Sequence, residues 1–276
     1  MTRTLDWITD PHLDHLVGAP MLLDFVKRLA DRSSDGLIVT GDIAESRTIY
    51  QFLEILSGAY RRPIYFVLGN HDYYGDWMHE THEKVRRICQ EVPPGILNWM
   101  PDKGFIRLNK KTAILGHDGF YDGQEGQPGM AFSLTDFYMP SGIRDLAQAM
   151  SRGSSHLFAK LLELGTNSAV YIRSQVERAH RQGIRRFIII THVPPFLEAS
   201  RFRGKPSDPA AAPFYVNKVL GEALLELAEE FPKCSFEVFA GHTHGNCTYE
   251  ARKNLVVRVG NARYEHLPQF QTPIEY

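Results

Sequence analysis

Five short apolar runs, each ending in side chains that can bind a metal ion, constrain the fold of this 276-residue chain more than any other feature. The runs are rich in β-branched and aromatic residues, as buried β-strands usually are. Helical patterns separate them, so the sequence predicts a sheet covered by helices and therefore an α/β fold. The predicted strands are 5–9, 37–40, 64–68, 187–191 and 236–240.

Further elements and two long loops complete the expected organisation, in which residues 1–276 form one domain. Residues 106–116 are expected to form a hairpin, and 255–259 a late strand. The glycine-rich segment 117–165 and the proline-rich segment 194–213 have the composition of loops. Because loops of this length are usually functional, we expect 117–165 to be an insertion that lines the active site. The predicted helices are 21–32, 47–57, 79–91, 167–182 and 217–230.

The polar residues that follow the predicted strands offer the oxygen and nitrogen donors of a metal site. Ligands of an open α/β sheet bind outside the carboxyl ends of its strands, so these clusters are expected to meet at one place. Mixed nitrogen and oxygen donors suit manganese, iron or zinc better than calcium. Seven donors exceed the four that one zinc ion needs, and they fit two ions that share a carboxylate. The candidate ligands are Asp10, His12, Asp42, Asn70, His192, His242 and His244.

Taken in order, these residues resemble the motif series of the calcineurin-like metallophosphoesterases, and the series spans residues 10–244. The resemblance implies that family's fold, two facing mixed β-sheets flanked by helices, with the site at the strand ends. It also implies an enzyme that hydrolyses a phosphate monoester or diester by attack of a hydroxide bridging two divalent metal ions. The motifs are Asp10-x-His12, Gly41-Asp42-x-x-Glu45, Gly69-Asn70-His71-Asp72, His192 and Gly241-His242-x-His244.

Carried onto these positions, the resemblance implies a role for each matching residue. Asp42 would bridge the two ions, for which manganese is the expected metal and iron, zinc, nickel and magnesium are alternatives. His71 would contact the substrate and protonate the leaving oxygen, as an imidazole that titrates near neutral pH can do. Glu45 would orient His71. The first ion would be held by Asp10, His12 and His244, and the second by Asn70, His192 and His242.

Candidates for substrate binding lie in the two long loops. Asp118 and Tyr121 belong to the glycine-rich loop after the hairpin, which either reaches the site or is a plain connection. Arg201 and Arg203 are suited to holding a phosphate group, although a solvated basic loop has the same composition. The expected substrate is a phosphate ester, with nucleotides among the candidates.

Charge and cysteine content narrow the classes of function and location. The formal net charge of −1 provides no overall field that would attract nucleic acid or an anionic membrane. No apolar run approaches the ~18 residues of a membrane span, and residues 1–10 lack the apolar stretch of a signal peptide. Three widely spaced cysteines without a CxxC pair are typical of a reducing compartment, so the expected location is the cytoplasm.

Two alternatives accompany the phosphoesterase hypothesis. A nuclease or a nucleic-acid end-processing enzyme has similar motifs, but the near-neutral charge and the lack of a basic stripe disfavour it. A non-catalytic scaffold of the same fold, like a retromer subunit among the relatives, would bind a protein partner instead. The presence of His71 and the whole set of expected ligands argues against the scaffold.

Overall fold

The structure is a computed structural model that describes residues 2–16, 20–126 and 134–276. Strands and helices alternate along most of this length, as the apolar runs predict. The strands are β1 (Thr4–Ile8), β2 (Gly36–Thr40), β3 (Ile64–Val67), β4 (Leu97–Trp99), β5 (Phe105–Arg107), β6 (Thr112–Gly116), β7 (Arg186–Ile190), β8 (Arg201–Phe202), β9 (Lys205–Pro206), β10 (Ser235–Ala240), β11 (Cys247–Arg252), β12 (Leu255–Val259) and β13 (Ile274–Glu275). The helices are α1 (Pro20–Ala30), α2 (Ile49–Tyr60), α3 (Met78–Glu91), α4 (Met100–Lys103), α5 (Arg144–Ser151), α6 (Ser154–Arg181) and α7 (Lys218–Glu230).

Two mixed sheets face each other and form the centre of the molecule. The first sheet has the order β13-β1-β2-β3-β4, with β1 to β4 parallel and β13 antiparallel to β1. The second has the order β11-β12-β10-β7-β6-β5, with β6, β7, β10 and β12 parallel and antiparallel strands at both edges. The predicted fold class and the predicted strands are therefore confirmed.

Three apolar layers explain why the strands are almost continuously hydrophobic. Between the sheets, Trp7 of β1 meets Phe239 of β10 edge to face, with ring centroids 5.1 Å apart. The outer face of the first sheet packs on α1, α2 and α3, and that of the second packs on α6 and α7. Strands buried on both faces cannot alternate apolar and polar residues, which is why β2 is buried at every position.

The long helix α6 corrects the expectation that 117–165 is a loop throughout. The helix begins at Ser154, thirteen residues before the predicted start at 167, and α5 precedes it. Leu157 and Leu161 lie on its buried face, where Gly165 is the next residue in the same row. A side chain at 165 would lie 2.5 Å from the Cβ of Asp122, so this glycine permits close packing and does not end the helix.

The remaining predictions differ from the structure mostly at element ends. The hairpin at 106–116 and the late strand at 255–259 are confirmed. The segment 194–213 contains the small antiparallel pair β8–β9 between short 3₁₀ turns. Across the described ranges, no helix combines the length and the hydrophobicity needed to span a bilayer.

Candidate metal centre

The candidate ligands meet where the parallel strands of both sheets end. The first sheet supplies Asp10 and His12 after β1, with Asp42 and Asn70 after the next two strands. The second sheet supplies the remaining three imidazoles, after β7 and β10. Positive φ in non-glycine residues marks local strain that often accompanies function. Five of the eight such residues in the described part of the chain are candidate ligands: Asp10, His12, Asp42, His242 and His244.

One group of donors forms around Asp10. Potential ligand atoms of Asp10, His12, Asp42 and His244 all lie within 4.8 Å of one another. His244 Nε2 is 3.2 Å from Asp10 Oδ1, and His12 Nε2 is 3.7 Å from Asp42 Oδ2. The two Nε2 atoms of His12 and His244 are 3.5 Å apart. These four residues therefore have the spacing that shared ligands of a single cation require.

A second group of donors forms around Asn70. Asn70 Oδ1 lies 3.2 Å from His192 Nε2 and 3.0 Å from His242 Nδ1. Asp42 Oδ1 lies 3.4 Å from the same nitrogen of His192. The two carboxylate oxygens of Asp42 thus face different donor groups, which is the placement expected of a bridging ligand.

Hydrogen bonds to the protein fix which nitrogen of each imidazole faces the second group. His192 Nδ1 lies 2.8 Å from the carbonyl oxygen of Thr40, so it donates there and leaves Nε2 as an acceptor. His242 Nε2 donates to the carbonyl oxygen of Phe214 at 2.9 Å, which leaves Nδ1 as the acceptor that faces Asn70. Such outer hydrogen bonds select the tautomer that can bind a metal.

Asp136 orients Asn70 in the same way, and sequence analysis missed it. Asn70 Nδ2 donates to Asp136 Oδ1 at 2.9 Å, so the amide oxygen is turned toward the histidines. Tyr74 and Tyr121 donate their hydroxyls to the same carboxylate at 2.8 and 2.9 Å. Asp136 lies in a short 3₁₀ turn without hydrophobic periodicity, so its sequence carried no signal beyond its place in the long loop.

The electrostatics of the first group favour a cation. Burial, followed by repulsion from the carboxylates of Asp10 and Asp72, raises the pKa of Asp42 well above its ordinary value. Burial also opposes ionisation of Asp10, but the adjacent His244 imidazole brings the pKa of Asp10 below its ordinary value. A buried carboxylate of this kind is an anion only when positive charge compensates it, and a divalent ion supplies that charge.

Together the donors fit two divalent ions. They comprise two carboxylates, one amide oxygen and four imidazoles, which are the ligand types of manganese, iron and zinc centres. Gly41 allows the close approach, because it has a φ of 89° and a side chain there would collide with the His192 ring.

His71 lies beside the donors and contacts two tyrosines. Its ring stacks on Tyr74 at a centroid distance of 4.3 Å, and its Nε2 atom lies within hydrogen-bond distance, 3.3 Å, of the Tyr264 hydroxyl. Burial, followed by the neighbouring His192 and His242 imidazoles, lowers the pKa of His71 to about 3. An anionic phosphate beside the ring would raise the pKa again.

The expected pairing of Glu45 with His71 is not seen among the described residues. The charged neighbours of the half-buried Glu45 carboxylate are Asp14, His15 and Arg47, and its pKa is raised first by burial and then by Asp14. Among the described residues, Tyr264 contacts the Nε2 atom of His71, and it lies on the segment after β12, which carried no motif.

Asp118 corrects another expectation, because it faces the interior instead of the substrate. Its carboxylate accepts hydrogen bonds from Leu68 N at 2.8 Å, Trp99 Nε1 at 2.9 Å and Tyr73 Oη at 2.8 Å. These partners surround the side chain, which is buried, so it braces the end of β3. A carboxylate held by three donors has no reason to approach an anionic phosphate.

Asp72 has a comparable supporting role next to the ligands. It accepts hydrogen bonds from the backbone N–H groups of Ile43, Ala44 and Gly69, at 2.7 to 2.9 Å. The side chain therefore joins the loop that carries Asp42 to the loop that carries Asn70.

A cleft of about 520 Å³ lies over the donors. Tyr121, a predicted substrate contact, lines this cleft with a fully buried side chain. Arg203 lines an adjoining cleft, whereas Arg201 lines neither of the two. The apolar and aromatic wall of the main cleft is formed by Tyr74, Tyr121, Leu134, Phe202, Ala211, Phe214, Tyr215 and Tyr264.

With this fold and this donor set, the chain belongs to the calcineurin-like phosphoesterase family, whose family model matches residues 4–246. The resemblance inferred from the motifs is therefore confirmed. No curated protein matches the chain significantly.

Solved structures share the fold at low sequence identity. A phosphopantetheinyl hydrolase from Mycobacterium tuberculosis aligns with a TM-score of 0.59 and 16% identity, over 94% of this chain and 90% of that one. The TT1561 protein of Thermus thermophilus aligns with a TM-score of 0.53 and 15% identity, over 95% of this chain and 90% of that one. A dimetal phosphatase from Danio rerio aligns with a TM-score of 0.53 and 13% identity, over 94% of this chain and 87% of that one. These similarities support the fold, and the family assignment places the chain among the calcineurin-like phosphoesterases.

Proposed function

We propose that this protein is a dinuclear metal-dependent hydrolase of phosphate esters, acting as one domain over residues 1–276. The observation that carries the proposal is Asp42, whose two oxygens face the separate donor groups around Asp10 and Asn70. The segment 117–165 contributes to the site through Tyr121 and Asp136, which line the cleft.

The first ion would be held by Asp10, His12 and His244, the second by Asn70, His192 and His242, and both by Asp42. When bound, two divalent ions acidify a water molecule and offset charge on the phosphoryl oxygens. Manganese is the metal we expect from the mixed donors. The chain's three unpaired cysteines fit the reducing cytoplasm that we propose as its location.

His71 is the residue that we propose to act on the leaving group. It lines the cleft next to Asp42 and Asn70, so a phosphate ester bound there would contact its imidazole. A protonated imidazole donates to the departing oxygen and so avoids the release of an alkoxide. The chain thus provides the ligands, the proton donor and an apolar enclosure for the ester.

The first test is hydrolysis of p-nitrophenyl phosphate and bis-p-nitrophenyl phosphate by the purified protein with added manganese. His71→Ala should reduce turnover of these p-nitrophenyl esters, because it removes a phosphoryl contact. It should reduce turnover of an alkyl phosphate ester more strongly, by about 10²–10⁴-fold, because that leaving oxygen also needs a proton. The variant should retain the metal content of the wild type. His156→Ala, on the exposed face of α6, is the matched control and should change neither property. Full activity of His71→Ala would contradict the assignment.

Binding of nucleic acid supplies the test of the nuclease alternative. Steep salt dependence of affinity for DNA or RNA would favour that alternative, because phosphate contacts release counterions. We expect no such dependence, since no lysine or arginine of the described chain lines the main cleft.

A further inference from the structure

A second cleft, of about 650 Å³, adjoins the first one and shares three residues with it. The shared residues are Phe202, His244 and Tyr264. Both clefts therefore border His244, a proposed metal ligand, and we place the ester phosphorus beside it, where the two clefts meet. Phe202 and Tyr264 are 52% and 43% exposed, so these two aromatic side chains stand between the clefts in contact with solvent.

The main cleft, which we call the aromatic cleft, has no basic side chain on its described walls. Beyond the ligands it presents two further carboxylates, those of Asp136 and Asp208. Residues 1, 17–19 and 127–133, which complete the sequence, contain no lysine or arginine. A second phosphate on the substrate would meet no compensating charge here, whereas a ring or an apolar chain would pack on Tyr74, Phe214 and Tyr215.

The second cleft, which we call the arginine cleft, has the opposite character. Arg203 and Arg263 line it together with His266, and no carboxylate lies on its described walls. Both arginines are exposed, and within the described ranges neither forms an ion pair with an acidic side chain. Guanidinium groups without an acidic partner are available to bind a carboxylate or a phosphate with charge-assisted hydrogen bonds.

We propose that the substrate is a phosphodiester with two unlike arms, an uncharged ring-bearing or apolar arm in the aromatic cleft and an anionic arm in the arginine cleft. This inference rests on the proposed function and adds the substrate class to it. A diester offers one ester arm to each cleft, whereas a monoester has only one arm.

The position of His71 sets which arm leaves. His71 lines the aromatic cleft and not the arginine cleft. Water adds its oxygen to phosphorus, the bond from phosphorus to the uncharged arm breaks, and the proton of His71 goes to the departing oxygen. One proton of the water restores His71. The products are an uncharged alcohol and a phosphate monoester of the anionic arm.

Two synthetic diesters of equal length test the assignment: p-nitrophenyl propyl phosphate and p-nitrophenyl 2-carboxyethyl phosphate. Both release p-nitrophenol, so one assay follows both. With manganese-loaded wild-type protein, the carboxylate should raise kcat/KM by about tenfold, as expected for one charge-assisted contact. This ratio should fall as ionic strength rises.

Removing the positive charges of the two arginines tests whether they cause the difference in kcat/KM between the esters. In the double variant Arg203→Gln, Arg263→Gln the ratio between the two esters should fall to about one. Lys205→Gln is the matched control, because Lys205 lies in the same hairpin, is exposed and lines neither cleft. The control should keep the wild-type ratio. A ratio of one in the wild type, or a ratio that survives in the double variant, would overturn the proposal.

A binding measurement separates this proposal from the proposed function. Titration calorimetry of the manganese-loaded protein should show about tenfold tighter binding of 2-carboxyethylphosphonate than of propylphosphonate. If neither ester is hydrolysed, the proposed function fails and the described reaction with it. If both esters are hydrolysed equally and both phosphonates bind equally, the phosphoesterase activity stands and the assignment of the arms is wrong.

Discussion

Single side chains decide how His71 is presented to a substrate. Tyr264 contributes a hydroxyl 3.3 Å from His71 Nε2, and its ring centroid lies 4.4 Å from that of His12 and 4.8 Å from that of His244. The tyrosine therefore covers the first donor group and touches the proposed proton donor at the same time. We propose that Tyr264 helps to orient His71, a role that the family resemblance assigns to Glu45.

We expect Tyr264→Phe to slow hydrolysis selectively. Losing one hydrogen bond of about 1 kcal/mol should reduce kcat roughly fivefold for alkyl phosphate esters, whose leaving oxygen needs a proton. Hydrolysis of p-nitrophenyl esters should change little, since p-nitrophenolate leaves without protonation. Tyr138→Phe, at an exposed tyrosine, is the control. Equal losses on both kinds of ester, measured as kcat and KM separately, would assign Tyr264 a merely structural role.

Some residues of the site could be predicted from the sequence, and others could not. Asp42 and Asn70 were predictable because each follows a recognisable buried strand and matches an ordered motif. Asp136 and Tyr264 were not, because they reach the site from irregular segments whose course depends on tertiary packing. Asp118 was misjudged because a loop position does not show whether a carboxylate meets donors or solvent.

At the scale of elements, the long helix α6 shows how packing can override a local signal. Glycine usually lowers helix stability, which is consistent with the sequence-based prediction of a loop up to Gly165. In the structure its missing side chain lets α6 approach Asp122 and the N-cap residue Asn217 of α7. The start of the helix was therefore unpredictable from propensity, although its later turns from 167 onward were predicted.

Two glycine substitutions test this account of α6. Gly165→Ala should lower the free energy of unfolding by about 1–2 kcal/mol, because the cost of overpacking exceeds the gain in helix propensity. Gly58→Ala in α2 meets no atom within 4 Å and should raise the free energy of unfolding by about 0.5–1 kcal/mol. Urea titrations of both variants measure these changes. Stabilisation by Gly165→Ala would show that the helix has room at that position.

For the whole molecule, the donor groups connect the two sheets. Each group combines ligands from the first sheet with imidazoles from the second, as Asp10 with His244 and Asn70 with His192 do. Ions bound there would link the two sheets at the carboxyl ends of their parallel strands. Metal binding should therefore be linked to the stability of the entire fold.

Removal of metal should lower the melting temperature. A ligand at a hundredfold excess over its Kd stabilises a fold by about 2.7 kcal/mol, which corresponds to roughly 5–10 °C for a domain of this size. Calorimetric scans of the manganese-loaded and the chelator-treated protein measure the difference. Asp42→Asn should show a smaller difference than the wild type, and an equal melting temperature with and without metal would contradict the linkage.

The central claim is that Asp42 joins two cations, and electron paramagnetic resonance of the manganese-loaded protein tests it most directly. The wild type should bind two ions per chain and give the spectrum of an exchange-coupled pair, whereas Asp42→Asn should lose the coupling. One ion per chain, or two ions without coupling in the wild type, would contradict the claim.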